Sequence, residues 1–347
     1  MLDHWFPRFL ANGLDYLDVR SILDRTPSWE DWGREWSAAA ERYARLGEQA
    51  LASGRRVTAA DHLRRAALTL QFAHFAITAD AAAREALHRR QAELYARAAP
   101  LLRPPAEPVR VPFSGTELPG YLRRPAGTEA AGVVVLLPGL ESTKEQFSTY
   151  EPYFLERGVA TISFEGPGQG ESWYATPFRD ERYRSAVRAL GGMIAGLAGV
   201  AGRHVVVLGT SFGGYLALRC ASVVPGLAGV VTISGRYDLS DFAEMPPVVQ
   251  DGYARIVRAA SRAEARELLA DVTLDGRLGD LAVPVLVLHG QRDGLVPERQ
   301  LRQITAALGE RAEQWIEPEG GHSCNNLHTR IRPAVADWVR ERLDAAR

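Results

Sequence analysis

The stretch V205-V-V-L-G-T-S-F-G-G-Y-L-A-L218 carries an apolar β-branched run into a serine flanked by glycines, and out again into a second apolar segment. Four consecutive residues of the first part suit a strand buried on both faces, and the second part reads as a helix. Gly209-Thr210-Ser211-Phe212-Gly213 therefore sits at a strand–turn–helix junction. That is the setting in which G-x-S-x-G exposes a serine hydroxyl at the top of a parallel sheet. The glycines are needed because so sharp a turn brings backbone against backbone. Ser211 is the candidate nucleophile, and the amide of Phe212 is a candidate donor to a developing oxyanion.

Working outward, four more short apolar runs share this form: AGVVVLLPG (131–139), GVATISFEG (158–166), LAGVVTISG (227–235) and VPVLVLHGQ (283–291). Helical stretches such as 182–199 lie between them, so the segment reads as an open α/β sheet with crossover helices on both faces. VRVPFSGTELPGYLRRP (109–125) alternates about a turn and predicts an antiparallel hairpin at the sheet edge. The first hundred residues follow a different pattern. Residues 26–54 place Trp29, Trp32, Trp36, Tyr43 and Ala50 at helical spacing, with Ser28 and Asp31 as a capping box. Residues 57–78, with Leu63, Ala67, Leu70, His74 and Ile77 on one face, predict a second helix, and 80–99 a third. The proline-rich segment 100–112 separates the two patterns. The expectation is a helical domain over 1–104 that encloses substrate, then an α/β catalytic domain over 105–347 with a lid segment around 236–275.

A nucleophilic serine needs a base, and the base an orienting acid. In this fold class they follow in the order serine, acid, histidine. LHGQRDGLVP (288–297) supplies Asp293 just past a strand, and GGHSCNNL (320–327) supplies His322 in a glycine loop before the last helix. Asp293 precedes Gly294 and also fits a turn initiator, while His289 and His328 are neighbouring histidines with structural readings. The order and spacing select Ser211–Asp293–His322. The loop after the first central strand, PGLESTKEQF (138–147), should supply the second oxyanion donor, the amide of Leu140. FEGPGQGES (164–172) lacks the spacing and lysine of a phosphate-binding loop, and no cysteine–histidine pattern predicts a metal site.

The composition limits the remaining classes. The chain has 347 residues, with 46% hydrophobic and 24% charged, and a formal net charge of −1, which gives no electrostatic footprint for nucleic acid. No apolar run is long enough to span a bilayer, so no membrane association is expected. Two cysteines and no leader-like N-terminus fit a cytoplasmic protein. A homodimer is compatible with the sequence, which does not determine the oligomeric state.

The motifs at 138–147, 164–172, 208–219, 288–297 and 320–338, together with WEDWGREW (29–36) and LRRAALTLQFAHFAI (63–77), make the chain resemble an α/β-hydrolase. The group it is similar to includes 2,6-dihydropseudooxynicotine hydrolase and the fungal naphthopyrone hydrolases that shorten polyketides. That resemblance implies serine hydrolases with an N-terminal helical domain that cleave a carbon–carbon bond beside a ketone, without metal or organic cofactor. It implies a small aromatic, ketonic substrate, and a substrate-binding glutamate after the strand VVTIS, here Glu244. Phe72, His74 and Phe75 are then the expected pocket lining, each with a helix-core role as the alternative. Glu165 stands where related hydrolases often carry aspartate, and Thr210 and Phe212 flank the serine differently from some relatives. The same triad would serve an esterase, thioesterase or acyltransferase, and the pocket would also serve a non-catalytic binding relative.

Overall fold

The computed structural model describes residues 5–75, 80–127, 129–200 and 202–346. It contains two compact units, Met1–Pro108 and Val109–Arg347.

The first unit is helical: α1 (Phe6–Ala11), α2 (Tyr16–Asp24), α3 (Trp29–Ala52), α4 (Arg56–Phe75) and α5 (Ala81–Ala98). Ser28 is the N-cap of α3 with extended backbone, but its hydroxyl donates to the Asp31 carboxylate at 3.0 Å and accepts no capping bond from a backbone amide. The capping box is thus replaced by a side-chain pair. Helix α4 packs between α3 and α5. Its second half, from Ala66 to Phe75, is buried on all sides, with Thr69, Gln71 and His74 interior alongside its apolar residues. Ile77 lies outside the described residues.

The second unit is built on an eight-stranded sheet in the order β1-β2-β4-β3-β5-β6-β7-β8. The strands are β1 (Ala106–Phe113), β2 (Thr116–Arg123), β3 (Val133–Leu137), β4 (Ala160–Phe164), β5 (Val205–Thr210), β6 (Leu227–Ile233), β7 (Val285–Gly290) and β8 (Ala312–Glu317). The turn between β1 and β2 places Ser114 and Gly115 at positive φ, as a tight two-residue hairpin requires. Strand β2 runs antiparallel to β4, and every pairing from β4 to β8 is parallel.

Alternate residues of the central strands serve opposite layers, which is why their sequences are continuously apolar. Val133, Val135, Val205 and Val207 meet residues of α8 (Asp180–Gly196), α9 (Phe212–Cys220) and α12 (Glu298–Leu308). Val134, Leu136, Val206 and Leu208 meet α6 (Glu151–Leu155) and α13 (His328–Ala345). The short α7 (Ser172–Ala175) follows β4, and α10 (Pro247–Val257) and α11 (Arg262–Leu268) form an insertion between β6 and β7. Strand β8, AEQWIE, closes the far edge with no residue fully buried.

Candidate active site

Strand β5 ends against β3 and β6, with Leu137 level with Gly209 and Ile233 level with Thr210. The chain then turns sharply. Ser211 adopts φ 56° and ψ −125°, and its amide donates to the Ile233 carbonyl at 2.8 Å. A non-glycine residue held in such a region costs about 1–3 kcal/mol, and its surroundings must impose it. Here they do. A Cβ on Gly209 would run into the Gly213 carbonyl, and one on Gly213 into the Leu137 carbonyl. Phe212 opens α9, so its amide has no acceptor within the helix.

Asp293 follows β7, and its carboxylate gathers three donors. The amides of Leu295 and Val296 donate to Oδ1 at 2.9 Å each, and His322 Nδ1 lies 2.9 Å from Oδ2. Burial alone would raise this carboxyl, but the His322 ring and the two amides outweigh it and hold it well below the usual carboxylate range. Asp293 thus initiates its turn and orients His322 at once. With Nδ1 engaged, His322 has Nε2 left to present outward, and its side chain remains 23% exposed.

The loop carrying His322 is fastened from several sides. Asn325 Nδ2 donates to the His322 carbonyl at 3.0 Å, and the Ser323 amide donates to Ser234 Oγ at 3.0 Å. Ser323 and Cys324 both take positive φ. Ser234, itself at φ 51°, stands just past β6 with its amide on the Leu288 carbonyl at 2.9 Å. It was not singled out in the sequence; its only signal there is its place at the end of the run VVTIS. The neighbouring histidines are held differently. His289 is buried in β7, and burial pushes its ring below the ordinary value. His328 bonds through Nδ1 to the Asn325 carbonyl at the start of α13.

The loop after β3 runs beside the serine, where a Cβ on Gly139 would stand 3.3 Å from Ser211 Cβ. Leu140 follows, half-buried. Further along, the buried Lys144 contacts Glu145 at 2.6 Å, Glu165 at 3.2 Å and Glu171 at 2.5 Å. Glu165 also accepts the amides of Lys144 at 2.9 Å and Glu171 at 3.0 Å, so one carboxylate ties the loop after β3 to the loop after β4. Burial pulls Lys144 down, yet its three carboxylate neighbours leave it well above the ordinary lysine value. Burial raises Glu165 to about 7.

The insertion at 236–275 places Glu244 at the end of a short turn, exposed, with its amide on the Asp241 carbonyl at 2.9 Å. No hydrogen bond joins Glu244 to Ser211, Asp293 or His322. Asp241 is the buried acid of this segment, paired with Arg236 at 2.7 Å and Arg299 at 3.0 Å. The sequence reading passed over it, although GRYDLSD has oppositely charged residues beside a strand end.

Phe72, His74 and Phe75, expected as pocket lining or as helix core, lie in the interior of the helical unit. Phe72 is fully buried against Phe9, with ring centroids 4.8 Å apart, and its carbonyl accepts from Trp32 Nε1 at 2.7 Å. Phe75 packs on Trp5 at 4.6 Å, and His74 Nε2 pairs with Gln91 Oε1 at 2.7 Å. All three are interior packing residues of the helical unit, because α4 is enclosed by its neighbours. Among the described residues no group of three or more histidine, cysteine, aspartate or glutamate side chains is arranged to hold a metal ion. No described helix is long and apolar enough to cross a membrane.

A parallel sheet with a strained serine after its central strand, and an acid–histidine pair beyond the last two strands, is the arrangement of one hydrolase class. The chain belongs to the alpha/beta hydrolase family, which it matches over residues 134–334. It is similar to 2,6-dihydropseudooxynicotine hydrolase of Paenarthrobacter nicotinovorans, at 34% identity over 98% of this chain and 92% of that protein. The crystal structure described as the 2,6-dihydroxy-pseudo-oxynicotine hydrolase matches with a TM-score of 0.90 and 32% identity, covering 98% of this chain and 96% of that one. The hydrolyase poxO of Penicillium oxalicum (strain 114-2 / CGMCC 5302) is 28% identical over 84% of this chain and 83% of its own length.

Proposed function

We propose that the protein is a serine hydrolase that cleaves a carbon–carbon bond beside a ketone, in an aromatic or polyketide-like substrate, through an acyl-enzyme. The observation that carries this reading is the Asp293–His322 pair at 2.9 Å in an open sheet whose central strand ends in the strained Ser211. Full-length similarity to 2,6-dihydropseudooxynicotine hydrolase supports the choice of substrate class.

Ser211 Oγ attacks the ketone carbon while His322 Nε2 takes its proton, and Asp293 fixes the tautomer and stabilises the imidazolium. The carbonyl electron pair moves to oxygen, where the amides of Leu140 and Phe212 receive it. Loss of one such donor costs about 2.7–4 kcal/mol. When the tetrahedral adduct collapses, the bond that breaks is carbon–carbon, and the departing electron pair must be delocalised as an enolate or into a hydroxylated ring. His322 returns the proton to that carbon. Water, deprotonated in turn by His322, then hydrolyses the acyl-serine. Glu244, with an exposed carboxylate, is assigned to binding or polarising the substrate.

The test is a panel of aryl ketones, aryl 1,3-diketones and p-nitrophenyl esters, assayed with wild type and Ser211→Ala. The expected outcome is turnover of a ketonic compound with recovery of the carboxylic acid. Ser211→Ala should lower it by on the order of 10⁴- to 10⁶-fold. Ester cleavage with inert ketones throughout would sink the carbon–carbon assignment while leaving the serine in place.

A further inference from the structure

Helix α10 touches both residues assigned as oxyanion donors. At Gly252 the helix lies so close to the loop after β3 that a Cβ would stand 2.6 Å from Glu141 Oε1 and 3.0 Å from Leu140 Cδ2. One residue on, the Tyr253 ring meets the Phe212 ring edge to face with centroids 5.2 Å apart. Arg255, one turn from Gly252 on the same face, reaches Glu141 Oε1 through Nη2 at 2.8 Å. Leu140 and Phe212 lie 72 positions apart in sequence, on different strand ends. Among these contacts the helix is the element they share.

The helix is also fixed on its far side. Its last carbonyls accept from Trp173 Nε1 (Arg255 O, 2.8 Å, which also takes the Arg258 amide), the Phe178 amide (Ile256 O, 2.8 Å) and Arg179 Nη1 (Val257 O, 3.1 Å). Arg258 ends it in the left-handed conformation. So the helix is anchored to the segment after β4 and presses on the two loops that carry the donors.

We infer that α10 is a positioning element for the oxyanion hole, with Gly252 and the Arg255–Glu141 pair setting where the Leu140 amide points. This rests on the serine-hydrolase reading above. Neither residue touches the reacting atoms in this role; they act through Leu140. Arg255 and Glu141 are 22% and 15% exposed, so the pair is largely buried and removing one partner also costs stability. The rate effect is therefore read well below the melting temperature of every variant. A donor displaced by about 1 Å forfeits on the order of 10²-fold in rate.

The probes are a fluorophosphonate that labels the serine, p-nitrophenyl acetate, and phenylboronic acid, which forms a tetrahedral adduct. Arg255→Gln and Gly252→Ala should each slow labelling and kcat by about 10- to 100-fold. KM for the ester should stay near wild type and boronate binding should weaken in step, all measured where circular dichroism shows each variant folded. Arg255→Lys should recover part of the loss. Wild-type labelling and boronate affinity in both variants, or a change in KM alone, would overturn the inference. If Gly252→Ala does not fold, the two Arg255 variants decide. A wild-type protein that no fluorophosphonate labels would overturn the serine-hydrolase reading itself, and this inference with it.

Discussion

The carboxylate of Asp293 accepts from two backbone amides and from His322, so it ties a turn to the imidazole. Asp293→Asn should leave the sheet intact but lower kcat by about 10⁴-fold, because an amide cannot hold the imidazole in the required tautomer. Its pH signature follows from the lowered carboxyl. The stability it contributes is fully present above the ordinary carboxylate range, about 3.9, and is lost as pH falls from there through the lowered folded value. The melting-temperature gap between wild type and Asp293→Asn, read from pH 5 downward, should therefore close. Glu165 behaves in the opposite sense. Its carboxyl is raised by burial to about 7, so its contribution is greatest below the ordinary glutamate value and declines as pH rises through about 7. Glu165→Gln, measured against wild type at pH 5 and pH 8, should compare better at the higher pH. A result flat in pH would mean that Lys144 keeps Glu165 ionised throughout. At this scale much was legible in the sequence. GHSCNNL and QRDGL place an acid and a histidine that the structure brings to 2.9 Å, and Asp293 takes up the turn amides of Leu295 and Val296 at the same time. Asp241 was missed because its importance depends on Arg299, 58 residues away, which spacing along the chain does not reveal.

The strands of the second unit differ in how much of them is hidden, and their sequences report it. Leu208 is fully buried in β5, and Leu208→Ala should cost about 2–5 kcal/mol in denaturant unfolding. Ile316 in β8 is 42% exposed, and Ile316→Thr should stay within about 0.5 kcal/mol of wild type. The same contrast decides which strands the sequence announces. Five strands buried on both faces appear as apolar β-branched runs, whereas AEQWIE carries glutamates and glutamine among its apolar residues and pairs with β7 alone. Nothing local marks it as a strand; its identity comes from the hydrogen-bonding edge beside it. Helix α4 has the reverse problem. Arg56, Val57, Thr58 and Asp61 are exposed in its first half, but every residue from Ala66 to Phe75 is buried, so no polar face outlines a stripe there and its aromatics pack against Phe9, Trp5 and Trp32.

For the whole molecule, the balance of charge sets how copies behave toward one another. The formal charge is −1 with its eight histidines neutral, and the sequence has a pI of about 6.7. Net charge therefore passes through zero just on the acid side of neutrality, where self-repulsion is weakest. Light scattering should find intermolecular attraction strongest between about pH 6 and 7 and reduced at pH 8.5. A virial coefficient unchanged over that range would contradict this. The order of the strands has a consequence for the protein as it is made. Strand β5 is held between β3 and β6, both supplied by residue 233, so the strained serine can take shape while the acid and the histidine are still unsynthesised. They arrive with β7 and β8, among the last sixty residues. On the proposed triad, a ribosome-bound chain that has passed residue 233 holds Ser211 in its turn without a base until residue 322 is added, and the proposed chemistry waits for the final edge of the sheet.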